Sequence, residues 1–207
     1  AAEPLARYLL RDLLLAVDAG LRLSMVELGA GVGAVGLWLW QALLGRLHLC
    51  LTDVPRLCPL LQLNADKVFA TVREKSATDE ESIIVRPLRW GLPEDLRAFA
   101  PERWDFLMGS DICYNEEKVQ PLMRTVAELR PRLGAVFCLS LCDLRGPGAR
   151  ALAEGCAQAS WTWQELHREK ACDGAEVLLV RIVPPSATGT WPPSVAQPSR
   201  TGPMATE

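Results

Sequence analysis

Many features that would mark a function are scarce in this chain. It has no basic excess: 22 Lys and Arg against 25 Asp and Glu leave a net charge of −3, and the pI is near 5.5. That argues against the broadly basic surface of a nucleic-acid-binding protein. No CxxC pair occurs. Cys138 and Cys142 would share one strand face with Ser140 between them, but no histidine neighbours them, so no metal site is expected. The seven cysteines are scattered, odd in number and set in apolar stretches, which suits reduced core thiols of a cytosolic or nuclear protein. No apolar run is long enough to cross a bilayer, and no signal peptide is visible. No internal repeat is evident, and 207 residues suit one α/β domain with a sizeable core. The chain opens on Ala1 rather than Met, which leaves room for residues upstream.

What is present is organised around MVELGAGVGAVG, Met25 to Gly36. Met25 and Val26 read as the end of a buried strand, the glycines as a turn, and Ala34–Leu44 as a helix leaving it. Glycines at such a corner let the backbone take positive φ and approach a ligand closely. The amides at the new helix start favour a polar or anionic group. Two ligand classes use this corner. Gly31, Gly33 and Gly36 satisfy the dinucleotide pattern GxGxxG, whereas Glu27, Gly29, Gly31 and Gly33 satisfy ExGxGxG. Glu27 discriminates between them. A carboxylate at the end of a buried strand needs a partner, and the ammonium of a bound S-adenosylmethionine, directly or through water, would supply one.

Along the chain, Leu5, Leu9, Leu10, Leu13, Leu14 and Val17 recur at helical spacing, so a first helix is predicted to close near Gly20. Strands are predicted at Leu23–Leu28, over LHLCLTD ending at Asp53, over IIVRP, over Trp104–Asp111 and over Ala135–Cys142. Helices are predicted at Ala34–Leu44, with Trp38 and Trp40 as core, from Pro55, at Pro93–Ala100, around Pro121 and at Ala149–Ala159. His48 is assigned no role. REKSATDEES reads as a solvated loop. WTWQELH and AEVLLVRIV read as two closing strands joined at Asp173-Gly174. From Pro184 onward Pro, Ser, Thr and Gly dominate, so a domain over 1–183 and a disordered tail over 184–207 are predicted. The alternation implies an α/β fold: a doubly wound, mostly parallel seven-stranded sheet with a C-terminal antiparallel hairpin.

Ligands in such sheets bind beyond the carboxyl ends of the strands. Gly29, Asp53, Trp90 and Asp111 fall at the ends of four successive predicted strands. Asp53 can accept both ribose hydroxyls of an adenosine ligand, or else cap the helix ahead of Pro55. Trp90 can lie against an adenine ring, or else sit at the rim of the core. Asp111 either faces an acceptor or caps the following helix.

VELGAGVGAVGL, LTDVP with LLQLN, LRWG and FLMGSDICYNEE together resemble the family 16 methyltransferases over about Ala1 to Arg145. These are seven-β-strand enzymes, most of which methylate lysines of specific non-histone proteins. The motifs also resemble those of the member acting on valosin-containing protein and of its relatives acting on chaperones. The resemblance implies S-adenosylmethionine as cofactor, held by Gly29, Ala30, Gly31, Asp53, Trp90 and Ser110; Glu27 is a further cofactor contact expected from its place at the end of the buried strand. Asp111 and Tyr114 would form the family's DxxY motif and act as the catalytic pair. A carboxylate there can hold and orient an incoming ammonium, while the phenol finishes the pocket.

Ile112-Cys113 is not the proline pair usual in amino-methylating enzymes of nucleic acids, which with the acidic pI argues against DNA or RNA as substrate. The expected partner is a protein, such as a chaperone or an AAA-type ATPase, met by a monomer free of membrane. The family's tryptophan ahead of the first helix would lie before Ala1, so weak cofactor binding is expected, and the C-terminal third departs from the pattern. An NAD-dependent oxidoreductase and a catalytically inactive binding module of the same fold are the alternative readings.

Overall fold

A computed structural model of the chain describes residues 2–18, 20–74, 83–99, 102–140, 147–170 and 176–189. Helix α1 (Ala2–Asp18) buries Leu5, Leu9 and Leu13 completely, with Leu10 and Leu14 half-buried beside them. Next in the chain are β1 (Leu23–Leu28), α2 (Ala34–Ala42), β2 (Leu47–Asp53), α3 (Cys58–Arg73), β3 (Ile83–Pro87) and the short α4 (Pro93–Leu96). The second half contains β4 (Phe106–Ser110), α5 (Val119–Leu129), β5 (Ala135–Ser140), α6 (Pro147–Gln158), β6 (Thr162–Lys170) and β7 (Glu176–Val183).

The seven strands form one sheet in the order β3-β2-β1-β4-β5-β7-β6. The first five are parallel to one another, and β7 runs antiparallel to both β5 and β6. Alternation along the strands sends side chains to two cores. Met25, Leu49, Phe106 and Met108 join the α1, α2 and α3 side, whereas Val26, Cys50, Leu107 and Phe137 join the α5 and α6 side. The predicted doubly wound sheet with its closing hairpin is therefore the observed one.

The hairpin enters the sheet in reverse order. Val177 to Ile182 are all buried, so β7 takes the interior place beside β5. β6 carries Glu, His, Arg and Lys, is mostly exposed and forms the sheet edge, where charge discourages pairing with another chain.

Several boundaries differ from expectation. β4 is shorter at both ends: Trp104 is buried ahead of it and Asp111 lies beyond it. Trp40 is core, but Trp38 is 44% exposed, because a nine-residue helix lying on a sheet must turn one side outward. His48 stacks on Trp104, with ring centroids 5.5 Å apart and planes at 10°. Packing also extends past the expected boundary at Pro184. Pro184 is buried, the Gly189 N–H donates to the Arg132 carbonyl at 2.8 Å, and the Arg181 guanidinium donates to the carbonyls of Leu133 and Gly189. A buried arginine must place its donors, and its bond to the Gly189 carbonyl holds residues 184–189 on the domain. The predicted turn at Asp173-Gly174, Cys142, most of the charged loop and residues 190–207 lie outside the described residues.

Candidate functional site

β3, β2, β1 and β4 are neighbours in the sheet, so their carboxyl ends form one continuous edge. The ladders run slightly past the strands there. The Ala30 N–H donates to the Thr52 carbonyl at 2.9 Å, and the Leu88 N–H donates to the Asp53 carbonyl at 2.8 Å. The four groups expected at four strand ends therefore share one short edge.

The corner after β1 is tightly built. Gly29, Gly31 and Gly33 have φ of 64°, 58° and 82°, a region that costs L-residues about 1 kcal/mol. At Gly29 a Cβ would also come within 3.0 Å of Ile112 and 3.2 Å of the Trp90 ring. The absence of a side chain thus lets the β3 loop and the turn after β4 close on the corner together. Ala30 is buried, its N–H taken by Thr52 and its carbonyl accepting from Gly33 at 2.8 Å.

Asp53 faces this corner. One of its oxygens accepts from the Gly31 N–H at 2.7 Å and the other from the Val54 N–H at 2.7 Å. Helix α3 starts only at Cys58, with no side-chain cap. Of the two roles open to Asp53, helix capping is therefore not the one adopted. A carboxylate has about four lone-pair directions, which leaves capacity for hydroxyls.

Glu27 lies behind the corner and is only 3% exposed. Its carboxylate accepts from the Gly36 N–H at 2.9 Å. The Gly33 cap of α2 offers no side chain, so this bond from β1 satisfies an amide that the helix start would otherwise leave unpaired. Sequence alone assigns that partner to a ligand ammonium; in the structure it is the helix amide. Burial outweighs this bond, and with the Asp53 charge nearby the carboxyl is pushed up to about 8. Gly36 owes its identity to this contact, since a Cβ there would sit 2.4 Å from the Glu27 oxygen. Its place in GxGxxG thus reflects helix–strand packing and carries no preference for a dinucleotide.

Trp90 is half-buried against Gly29. Its loop is pinned on one side by Arg89, whose guanidinium meets Asp95 with two bonds of 2.8 and 2.9 Å. That pairing holds the Asp95 carboxyl below its ordinary value. On the other side the Gly91 N–H donates to the Thr125 hydroxyl of α5 at 2.8 Å.

The turn after β4 carries the remaining candidates. Ser110 ends the strand, half-buried. Asp111 is exposed at φ 55°, a left-handed conformation that aspartate tolerates better than most residues. Ile112 drops back into the space left by Gly29 and Gly109. Tyr114 is 69% exposed. Asn115, not Asp111, caps the next helical turn: its side-chain oxygen accepts from the Glu117 N–H at 3.0 Å. The capping role open to Asp111 in the sequence thus belongs to its neighbour.

Two contributors are invisible to motif reasoning. Gly148 in α6 lies so close to the Cys113 carbonyl that a Cβ would come within 2.1 Å, and α6 therefore backs directly onto the Asp111–Tyr114 segment. Thr125 lies within α5 and is fully buried. A glycine near a helix start and a threonine inside a helix carry no signature by themselves; only a crowded partner gives them meaning.

Known proteins resemble this chain in sequence and in fold. Mouse protein N-lysine methyltransferase METTL21A is 32% identical over 106 residues, which is 51% of this chain and 44% of that protein. EEF1A lysine methyltransferase 3 of Xenopus tropicalis is 34% identical over 117 residues, or 56% and 46%. The chain thus spans about half the length of the curated relatives it matches. Among solved structures, magnesium protoporphyrin IX methyltransferase (ChlM) from Synechocystis PCC 6803 with bound SAM superposes with a TM-score of 0.57 at 12% identity, covering 87% of this chain and 78% of that one. A putative O-methyltransferase from Klebsiella pneumoniae gives 0.55 at 13% identity, covering 84% and 79%. At such identities these two likenesses concern the fold alone. A sequence profile for the family described as lysine methyltransferase matches residues 1–141. Matched over most of its length, the chain belongs to the lysine methyltransferase family.

Proposed function

We propose that this chain is an S-adenosylmethionine-dependent protein methyltransferase that N-methylates a lysine of a specific non-histone protein. The observation that supports it best is the gathering of the Gly29 corner, Asp53, Trp90 and the Asp111–Tyr114 turn on one edge of four adjacent strands. The residues suit the cofactor. Gly29 and Gly31 keep side chains off the corner, Asp53 has acceptor capacity for ribose hydroxyls, and the Trp90 ring offers an apolar face beside them for an adenine. Ser110 and Ala30 flank these positions. S-adenosylmethionine, when bound, supplies a methyl group on a positively charged sulfur.

The rest falls to the chain's own side chains. Asp111, exposed at the mouth, attracts and orients an incoming ammonium, and Tyr114 beside it offers a phenol to line the acceptor path. An amine must be neutral to react, and a carboxylate nearby favours its charged form. The proton therefore leaves to solvent before transfer, and Asp111 serves orientation rather than deprotonation.

A protein acceptor is supported by the names of the relatives, one of which carries EEF1A as its target. A chaperone or an AAA-type ATPase is the substrate class to which the motif resemblance points. A place in cytosol or nucleus suits the free Cys50, Cys58, Cys113 and Cys156 among the described residues, and the proposed state is a monomer.

The test is the single-turnover methylation rate between pH 6 and 9.5 at saturating cofactor. A free lysine has a pKa of about 10.4, so roughly one in a thousand is neutral near pH 7.4. The rate should climb by up to about tenfold per pH unit from pH 7 to beyond pH 8 where the chemical step limits. A plateau already reached at pH 7.5 would indicate a histidine acceptor, whose pKa is about 6.5.

A further inference from the structure

We propose that Thr125 is a positioning residue for cofactor binding, acting through the Gly91 amide to hold Trp90 against the glycine corner. Thr125 is fully buried in α5, seven elements on from β1 in sequence, and its two hydroxyl hydrogen bonds go elsewhere than the glycine corner. Its hydroxyl accepts from the Gly91 N–H at 2.8 Å and donates to the Pro121 carbonyl at 2.9 Å. Both capacities of the hydroxyl are thus used, one inside its own helix and one across to the loop after β3. The loop cannot relax toward α5, because Gly91 has φ 73° and a Cβ there would meet the Pro121 Cα at 3.0 Å and Cβ at 3.1 Å. Trp90 is the residue before this anchor, and its ring is what a Cβ on Gly29 would strike. The chain of contacts therefore runs from α5 through one hydrogen bond to the indole and on to the corner.

A valine has the shape of threonine but no hydroxyl. In Thr125→Val the half-buried Gly91 amide loses its acceptor against the buried α5, a loss costly enough to shift the loop. Serine keeps the hydroxyl and loses only a methyl. The effect is specific to Trp90 if it vanishes once the indole is gone, which a double-mutant cycle measures.

The inference rests on Trp90 lying against the cofactor, and the experiment separates the two ideas. S-adenosylhomocysteine affinity is measured by calorimetry for Thr125→Val, Thr125→Ser, Trp90→Ala and the pair Thr125→Val with Trp90→Ala. We expect roughly tenfold weaker binding for Thr125→Val, near-native affinity for Thr125→Ser, and no further loss from the valine once Trp90 is alanine. Gly91→Ala, which strains the same junction from the other side, should lose affinity as Thr125→Val does and reports on the anchor should the valine variant fail to fold. Native affinity in both Thr125→Val and Gly91→Ala overturns the positioning role. So does an equal loss from the valine with and without Trp90. Native affinity in Trp90→Ala overturns the cofactor reading of Trp90 itself.

Discussion

From Gly29 to Trp90 the site edge is cross-tied: Gly31 to Asp53, Gly36 to Glu27, Gly91 to Thr125, Arg89 to Asp95. From Ser110 to Asn115 the chain instead leaves the sheet, with Asp111 and Tyr114 turned to solvent and the backbone held by Ile112 on one side and Gly148 on the other. The two stretches are neighbours: these hydrogen bonds tie the first across the edge, and close packing against Ile112 and Gly148 braces the turn of the second. The difference fits two tasks. A cofactor of one constant shape is met well by groups oriented in advance. An acceptor on another protein must be reached from outside, so its groups stand at the surface on a braced turn.

This contrast predicts separable losses. Asp111→Ala should lower methyl transfer by about 10²-fold or more, the scale of losing orientation at a reacting centre, with S-adenosylhomocysteine affinity intact. Loss of affinity in step with activity would merge the two stretches into one unit. A smaller effect is expected at Asp53. Asp53→Ala should weaken cofactor binding by about 1–3 kcal/mol, as hydrogen bonds to a charged group do, and Asp53→Asn should lose less because an amide oxygen can still accept from Gly31. Equal losses in the two variants would place the whole effect on ribose contacts and none on the corner itself.

The smallest effect, per pH unit, concerns the buried carboxyl behind the corner. Glu27 is lifted from 4.5 to about 8, chiefly by burial. The folded chain then holds a proton that the unfolded chain has released above about pH 4.5. Stability therefore falls as pH rises between those values, by up to ~1.4 kcal/mol per unit, and the contribution flattens above pH 8. Urea denaturation from pH 5 to 8.5 should show this slope in the parent chain and lose it in Glu27→Gln. Parallel slopes would mean that Glu27 is already ionised and that the corner is more polar than its burial implies.

Legibility in the sequence tracks locality. The glycine corner, the strand ending at Asp53, the existence of β4 though not its ends, and the amphipathic helices are readable because their signals lie within a few residues: glycine spacing, apolar periodicity and turn residues. Asp53, Trp90 and Asp111 are readable from their place after strands. The partner of Glu27 is not, because a helix amide nine residues on leaves no mark in composition. Trp38 reads as core in the sequence, since a uniformly apolar helix hides which side the sheet covers. The reach of the domain to Gly189 escapes sequence reasoning because a Pro- and Ser-containing segment gives no hint of the buried Arg181 that binds it.

What the amino-acid sequence determined by itself is therefore the set of elements, the two-sided core and the identity of the strand-end groups, since periodicity and backbone sterics act residue by residue. Only the tertiary structure decided the order of the sheet, the place of β7 inside β6, the tie from Thr125 to Gly91 across 34 residues and the seat of Arg181 on Leu133 across 48. Each of these joins groups whose hydrogen-bonding needs are ordinary in isolation. They acquire particular partners when the sheet closes and water is excluded, because burial makes an unpaired donor costly.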